Sequence, residues 1–335
     1  MSKSSRPLVS IIMPCYNSEK TLDVAILSLV NQTYPFFEII AIDDGSEDNT
    51  KDILMKWAKK DSRIKPFFLP HKGIVYCLNF GLLVSKGKYI ARMDSDDIAH
   101  KKRIEIQVEF LEKRPEYALV GTQVSYLGKR EGFKRYVMWQ NSLSDFLEIK
   151  KNQFLENPIA HPTFMFKRSL IDQLGGYIHG PFPEDYEFLL RILSKGFFVS
   201  KIPKKLLVWR DLPERVSRKS YRCSKEGFLL VKIWYLVKWI LKNQISDVAI
   251  FGFGKDAKIA IEMLLELGIK ISKIFSWEKK AKEYKNIPVY GFDHLPPAGT
   301  TFVLAFIGSI ELAQNYEKFL VNKGYKPLKD FLICG

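Results

Sequence analysis

Over residues 8–123 the chain alternates between two kinds of pattern, and that alternation constrains its fold more than any other feature. Five short apolar or β-branched runs, at 8–13, 38–42, 65–69, 89–93 and 118–123, are separated by helical patterns at about 19–31, 48–60, 73–85 and 102–113. Strands that alternate with helices predict an α/β fold with a mainly parallel, Rossmann-like sheet, which takes ligands at the carboxyl ends of its strands. Two of the runs end in acid. Residues 38–42 lead into Asp43-Asp44-Gly45-Ser46, and residues 89–93 lead into Asp94-Ser95-Asp96-Asp97. Like charges gathered in a cleft repel unless a cation or hydrogen bonds offset them. An Asp-x-Asp on an extended segment presents hard oxygens to Mg2+ or Mn2+, whose other positions go to water and phosphate oxygens. The plainer alternative makes Asp44 and Asp97 turn residues or helix N-caps.

The length of 335 residues predicts two domains, and 47% hydrophobic with 27% charged residues excludes a disordered chain. Cys15, Cys77, Cys223 and Cys334 form no Cys-x-x-Cys pair. This excludes a disulfide framework and a cysteine zinc site, and it fits a reducing cytoplasm. The apolar start at residues 8–13 is too short for a secretion signal, and the longest apolar run, 228–241, is interrupted by Lys232 and Lys238. Neither secretion nor membrane crossing is expected. A net charge of +15 favours anionic partners. Nucleic acid is not expected among them, because no aromatic-basic recognition motif is visible.

The predicted organisation has three parts: residues 1–205, a basic, aromatic-rich helical connector at 206–245, and a small Rossmann-like domain at 246–335. Within the first part the rhythm loosens after about residue 124, with helices at 169–174 and 185–194 and a strand at 163–166. Gly175-Gly176 reads as a helix C-cap and turn. Residues 205–245 carry ten basic and three acidic residues. The apolar run within them, with Trp234 and Trp239, suits either a helix lying on a bilayer or one packed between domains. The third part opens with a strand at 248–251 and the turn Gly252-Phe253-Gly254-Lys255-Asp256-Ala257. The turn has the context of a dinucleotide fingerprint. The acid expected at the end of the next strand is missing, with Glu278 one step late. A structural or regulatory role is therefore favoured there over NAD(P) binding.

Taken together, Val9 to Asn17 with Pro14 and Tyr16, Asp43-Asp44-Gly45-Ser46, Lys72-Gly73 with Asn79 and Gly81, and Gly87 to Asp97 resemble the inverting family 2 glycosyltransferases of the GT-A fold. The resemblance runs over about residues 8–205. It implies that Pro14, Tyr16 and Glu19 line a nucleotide pocket and that Asp43 or Asp44 bonds the base or ribose. Lys72, Asn79 and Ser95 would join the nucleotide-sugar contacts, with Asp94 nearer the ribose or sugar and Asp96 on the metal beside it. Pro183-Glu184-Asp185-Tyr186, followed by Arg191, resembles the family's Glu-Asp motif. That makes Asp185 the general base with Glu184 beside it, while helix capping is the alternative reading. His161 matches an acceptor-facing position and equally suits a core histidine. The segment from Trp209 and Arg210 to Arg218 resembles a closing loop over donor or acceptor, with Trp209 and Arg210 as acceptor candidates, or is a solvated basic face. The expected reaction is metal-dependent, inverting transfer from a nucleoside-diphosphate sugar, UDP-linked by preference, to a hydroxyl of a surface glycan or lipid-linked acceptor. The expected location is the cytoplasm or the inner face of its membrane. The alternative is a nucleotide-sugar oxidoreductase or regulatory protein acting through the third part, for which no Tyr/Lys or Cys constellation is visible.

Overall fold

The computed structural model describes residues 6–212, 220–277 and 282–335. Pro213 to Arg218 of the expected closing loop, and Glu278, lie outside the described residues. The chain forms two compact units: Met1–Phe146, Ile159–Gly180 and Glu187–Lys219 make the first, and Leu147–Pro158, Pro181–Tyr186 and Ser220–Gly335 make the second.

The first unit begins with β1 (Val9–Cys15), α1 (Leu22–Val30), β2 (Phe37–Asp44), α2 (Thr50–Lys60), β3 (Ile64–Leu69), α3 (Ile74–Val84) and β4 (Tyr89–Arg92). It continues with β5 (Ile98–Ala99), α4 (Arg103–Lys113), β6 (Tyr117–Leu127), α5 (Glu131–Ser142), β7 (Met165–Lys167), α7 (Arg168–Leu174) and β8 (Phe198–Arg210), while α6 (Phe146–Asn152) falls in the second unit but for its first residue and α8 (Glu184–Ser194) has its first three residues there. Among the described residues its strands form one sheet in the order β3-β2-β1-β4-β7-β6-β8-β5. The first four are mutually parallel, as the alternation predicts. All eight residues of β2 are buried, as expected of a strand covered on both faces. β7 then enters antiparallel between β4 and β6, so the whole sheet is mixed.

The register positions the ligand side. Cys15 pairs with Asp43 across β1 and β2, and Ile12 pairs with Arg92 across β1 and β4. Residues 14–16, 43–44 and 93–96 therefore come together at the carboxyl ends of β1, β2 and β4.

Two local differences from the sequence reading have physical causes. The expected strand at 163–166 starts as a 3-10 turn over His161–Thr163, with Pro162 in it, and pairs only from Met165. Residues 205–210, which open the basic connector in sequence, form the end of the 13-residue β8. There Leu206, Leu207 and Trp209 are buried after the exposed Pro203-Lys204-Lys205, where the pairing with β6 shifts register. Gly175 does end α7, with a φ of 77°.

The second unit contains α9 (Lys225–Lys242), β9 (Val248–Phe251), α10 (Lys255–Glu266), β10 (Ile271–Ser276), β11 (Glu283–Tyr284), β12 (Ile287–Gly291), β13 (Phe302–Phe306), α11 (Ile310–Asn322) and β14 (Phe331–Cys334). Its sheet order is β11-β12-β10-β9-β13-β14, parallel except for β11. β14, a fully buried run of four residues, completes it at the far edge. No helix among the described residues is long and apolar enough to cross a membrane.

Candidate active site

Three carboxylates converge just beyond β4. Asp94, Asp96 and Asp97 each offer an oxygen, and these oxygens lie within 4.8 Å of one another. Hard oxygens at that spacing suit a divalent cation, so the residues present fit Mg2+ or Mn2+. The cluster is held by cations of the chain itself. Arg92, 3% exposed, places Nη1 2.6 Å from Asp94 Oδ1. Arg103, fully buried, donates to the Arg92 carbonyl oxygen at 2.5 Å. Burial draws its pKa down to about 9 while the Asp97 charge pulls the other way, so it keeps its proton at neutral pH. From the end of β8, Arg210 donates its backbone N–H to Asp97 Oδ1 at 3.0 Å and its guanidinium to the Asp96 carbonyl and to the Thr21 carbonyl. One residue thus ties the acidic turn both to β8 and to the start of α1.

The neighbouring loops form a second cluster. Asp43, 4% exposed, accepts from the Ser46 N–H at 3.3 Å. Asp44 accepts from the N–H groups of Lys72 at 2.8 Å and Gly73 at 2.9 Å. It thereby fixes the loop that enters α3, and it does not cap α2, whose N-cap is Asn49. Gly45, at φ 69°, is where the turn needs a glycine: a Cβ there would stand 2.7 Å from the His71 backbone nitrogen. His71 Nδ1 lies 3.0 Å from Asp44 Oδ2 and 3.0 Å from the Asp44 carbonyl, and its ring stacks on Tyr16 at 4.3 Å. Lys72 Nζ sits over the Tyr76 ring. Pro14 lies in β1, directly before Cys15, whose thiol pKa is raised chiefly by burial and also by Asp43. Glu19 accepts from the backbone and side-chain amides of Asn49. Ser95 links the two clusters, with its hydroxyl 2.8 Å from that of Ser18 and its carbonyl accepting from Thr21.

Not every expected residue joins this group. Both side-chain amide atoms of Asn79 are engaged by the backbone of Tyr177, and the Tyr177 hydroxyl lies 3.0 Å from His161 Nε2. His161 is buried. Burial first and the Arg92 charge second hold its pKa well below the ordinary imidazole range, so it is neutral. Trp209 packs in the core against Phe133 and Tyr136. Glu184 and Asp185 open α8 within the second unit. Asp185 Oδ2 accepts from the Asn157 amide at 3.0 Å, and Glu184 Oε2 lies 3.6 Å from Arg222 Nη1.

The sequence reading missed His71, Arg92 and Arg103, and it gave Asp97 no role beyond the acidic run or a turn or helix N-cap. Arg92 and Arg103 carried one available signal, a charged residue inside an apolar strand or at a helix start. His71 carried none beyond its place beside Lys72.

Comparison with known proteins adds the following. Glycosyl transferase family 2 matches residues 10–175. The O-antigen biosynthesis glycosyltransferase WbnJ of Escherichia coli is 32% identical over 254 residues, covering 74% of this chain and 94% of that one. Two solved structures share the mixed α/β fold. The crystal structure of S. aureus TarS 1-349 in complex with UDP-GlcNAc has a TM-score of 0.54 at 20% identity, covering 69% of this chain and 66% of that one. The mannosyltransferase PcManGT from Pyrobaculum calidifontis, in complex with GDP-Man and Mn2+, has a TM-score of 0.53 at 18% identity, covering 79% of this chain and 81% of that one.

Proposed function

The chain belongs to glycosyl transferase family 2 and is a glycosyltransferase, and from that premise we propose a metal-dependent, inverting transfer of a sugar from a nucleoside-diphosphate sugar to a hydroxyl of a glycan or lipid-linked acceptor. A UDP-sugar is the preferred donor. The observation that carries the reading is the convergence of Asp94, Asp96 and Asp97 at the carboxyl strand ends that also hold Asp43 and the Tyr16–His71 pair.

Asp94, Asp96 and Asp97 would hold Mg2+ or Mn2+, which when bound neutralises charge on the departing diphosphate. The stacked Tyr16 and His71 rings offer an aromatic face to the base. Asp43, buried beside them, presents a carboxylate to donor N–H or hydroxyl groups, and the Lys72 ammonium suits a phosphate. Inversion requires the acceptor oxygen to attack the anomeric carbon opposite the leaving diphosphate, with its proton passing to a base. Asp185 is that base. The Asn157 amide, donating to Oδ2, orients the carboxylate, and Glu184, next to it in the chain, faces Arg222.

We read the second unit as a Rossmann-like domain with a structural or regulatory role. Gly252 has φ 115° after β9, while among the described residues β10 ends in Ser276-Trp277 without the acid of a ribose site. Titration calorimetry of UDP, GDP, dTDP and NAD, each with Mn2+ and with chelator, tests both readings. Mn2+-dependent diphosphate binding is expected, and binding of NAD alone would overturn them.

A further inference from the structure

We propose that helix α9 docks this protein on an anionic lipid surface through an apolar stripe on its solvent face. The inference goes beyond the transfer reaction and does not depend on it. At 100° per residue, Leu230, Trp234, Val237 and Leu241 fall within about 60° of one another on the helix. Leu230 is 37%, Trp234 52% and Leu241 65% exposed, with Val237 half-buried between them. Leu229, Ile233, Leu236 and Ile240, centred about 100° around the helix from the stripe, are buried. A helix that only packs on its own unit buries its apolar residues, whereas α9 leaves this stripe of four at least partly exposed.

Charge selects the occupant. Lys238 Nζ lies 4.8 Å from the Trp234 ring, and Lys238 and Lys242 are both exposed at the stripe's margin. Glu226 is the only acid in the helix, against three exposed lysines, Lys225, Lys238 and Lys242, the fourth, Lys232, being buried. A tryptophan with lysines at the rim of an apolar stripe matches the boundary between lipid headgroups and acyl chains, and the +15 charge of the chain favours an anionic surface. The helix lies on such a surface and does not cross it, because it is not apolar enough to span. A second copy of the chain fits less well. A stable dimer buries roughly 800 Å² per partner, more than four partly exposed side chains supply.

Co-sedimentation of the full chain with phosphatidylcholine vesicles, with and without phosphatidylglycerol, tests the proposal. Binding is expected only with phosphatidylglycerol, and it is expected to weaken with salt. Trp234→Ser combined with Leu241→Ser should reduce it by about tenfold or more. Both sites are exposed, so the double variant is expected to keep its melting temperature, and Lys238→Glu provides a second, independent loss. Three outcomes would overturn the proposal: no binding by the wild-type chain, equal binding by the double variant, or a concentration-dependent dimer that the double variant abolishes.

Discussion

Asp96 and Asp185 are both carboxylates, and they stand in different surroundings. Asp96 stands in a turn with Asp94 and Asp97, where it would supply one of the oxygens proposed to hold the cation. Asp96→Ala is expected to abolish Mn2+-dependent donor binding in calorimetry while leaving the melting temperature of the free protein within about 2 °C. Asp185 sits in another hydrogen-bond environment, facing Asn157. Asp185→Asn should preserve donor affinity and lower kcat by about 10²- to 10⁴-fold, the usual contribution of a positioned base. Transfer at the wild-type rate would show that the proton leaves by another route. Arg210 is a positioning residue, since it bonds the acidic turn through both backbone and side chain. Arg210→Ala is expected to raise the donor Kd by roughly tenfold, in keeping with the loss of charge-assisted hydrogen bonds of about 1.5 kcal/mol.

At the scale of elements, close contacts and buried charge set the tolerances. α3 crosses β1 and β2 at Gly81, where a Cβ would stand 2.6 Å from an Ile12 methyl and 3.1 Å from one of Ile42. Gly81→Ala should therefore cost about 1–3 kcal/mol in denaturant unfolding, although alanine is the better helix former. β8 buries Lys201 at 2% exposure, its ammonium donating to the Gln140 carbonyl, and burial lowers its pKa to about 7. The unfolded chain holds that proton up to about pH 10.4. Between pH 7 and that value the unfolded state binds more protons, so this group makes stability rise with pH, and below pH 7 its full cost is present. Lys201→Met is expected to remove that slope and to raise stability at pH 7 in urea titrations across the range. An unchanged slope would show that Lys201 stays charged in the fold.

On the scale of the whole molecule, two sheets with separate cores predict two melting transitions, and a donor bound only at the first sheet should shift one of them. UDP with Mn2+ at a hundred times its Kd should stabilise that transition by about 2.7 kcal/mol, and chelator should remove the effect. A shift of the other transition would move nucleotide binding to the second unit. The strand and helix alternation of residues 8–123, the parallel core and the two acidic strand ends were all legible in the sequence. They depend on local periodicity and chain direction, which neighbouring residues specify. β8 was not legible, because its pattern breaks at Pro203-Lys204-Lys205 and only pairing with β6 defines it. The approach of Arg210 to Asp97 across 113 residues, the seating of His71 on Tyr16 and the burial of Arg92, Arg103 and Trp209 were likewise decided only by the tertiary structure. Each of these depends on strand register and loop closure between distant segments, and no local pattern encodes which side chains those will bring together.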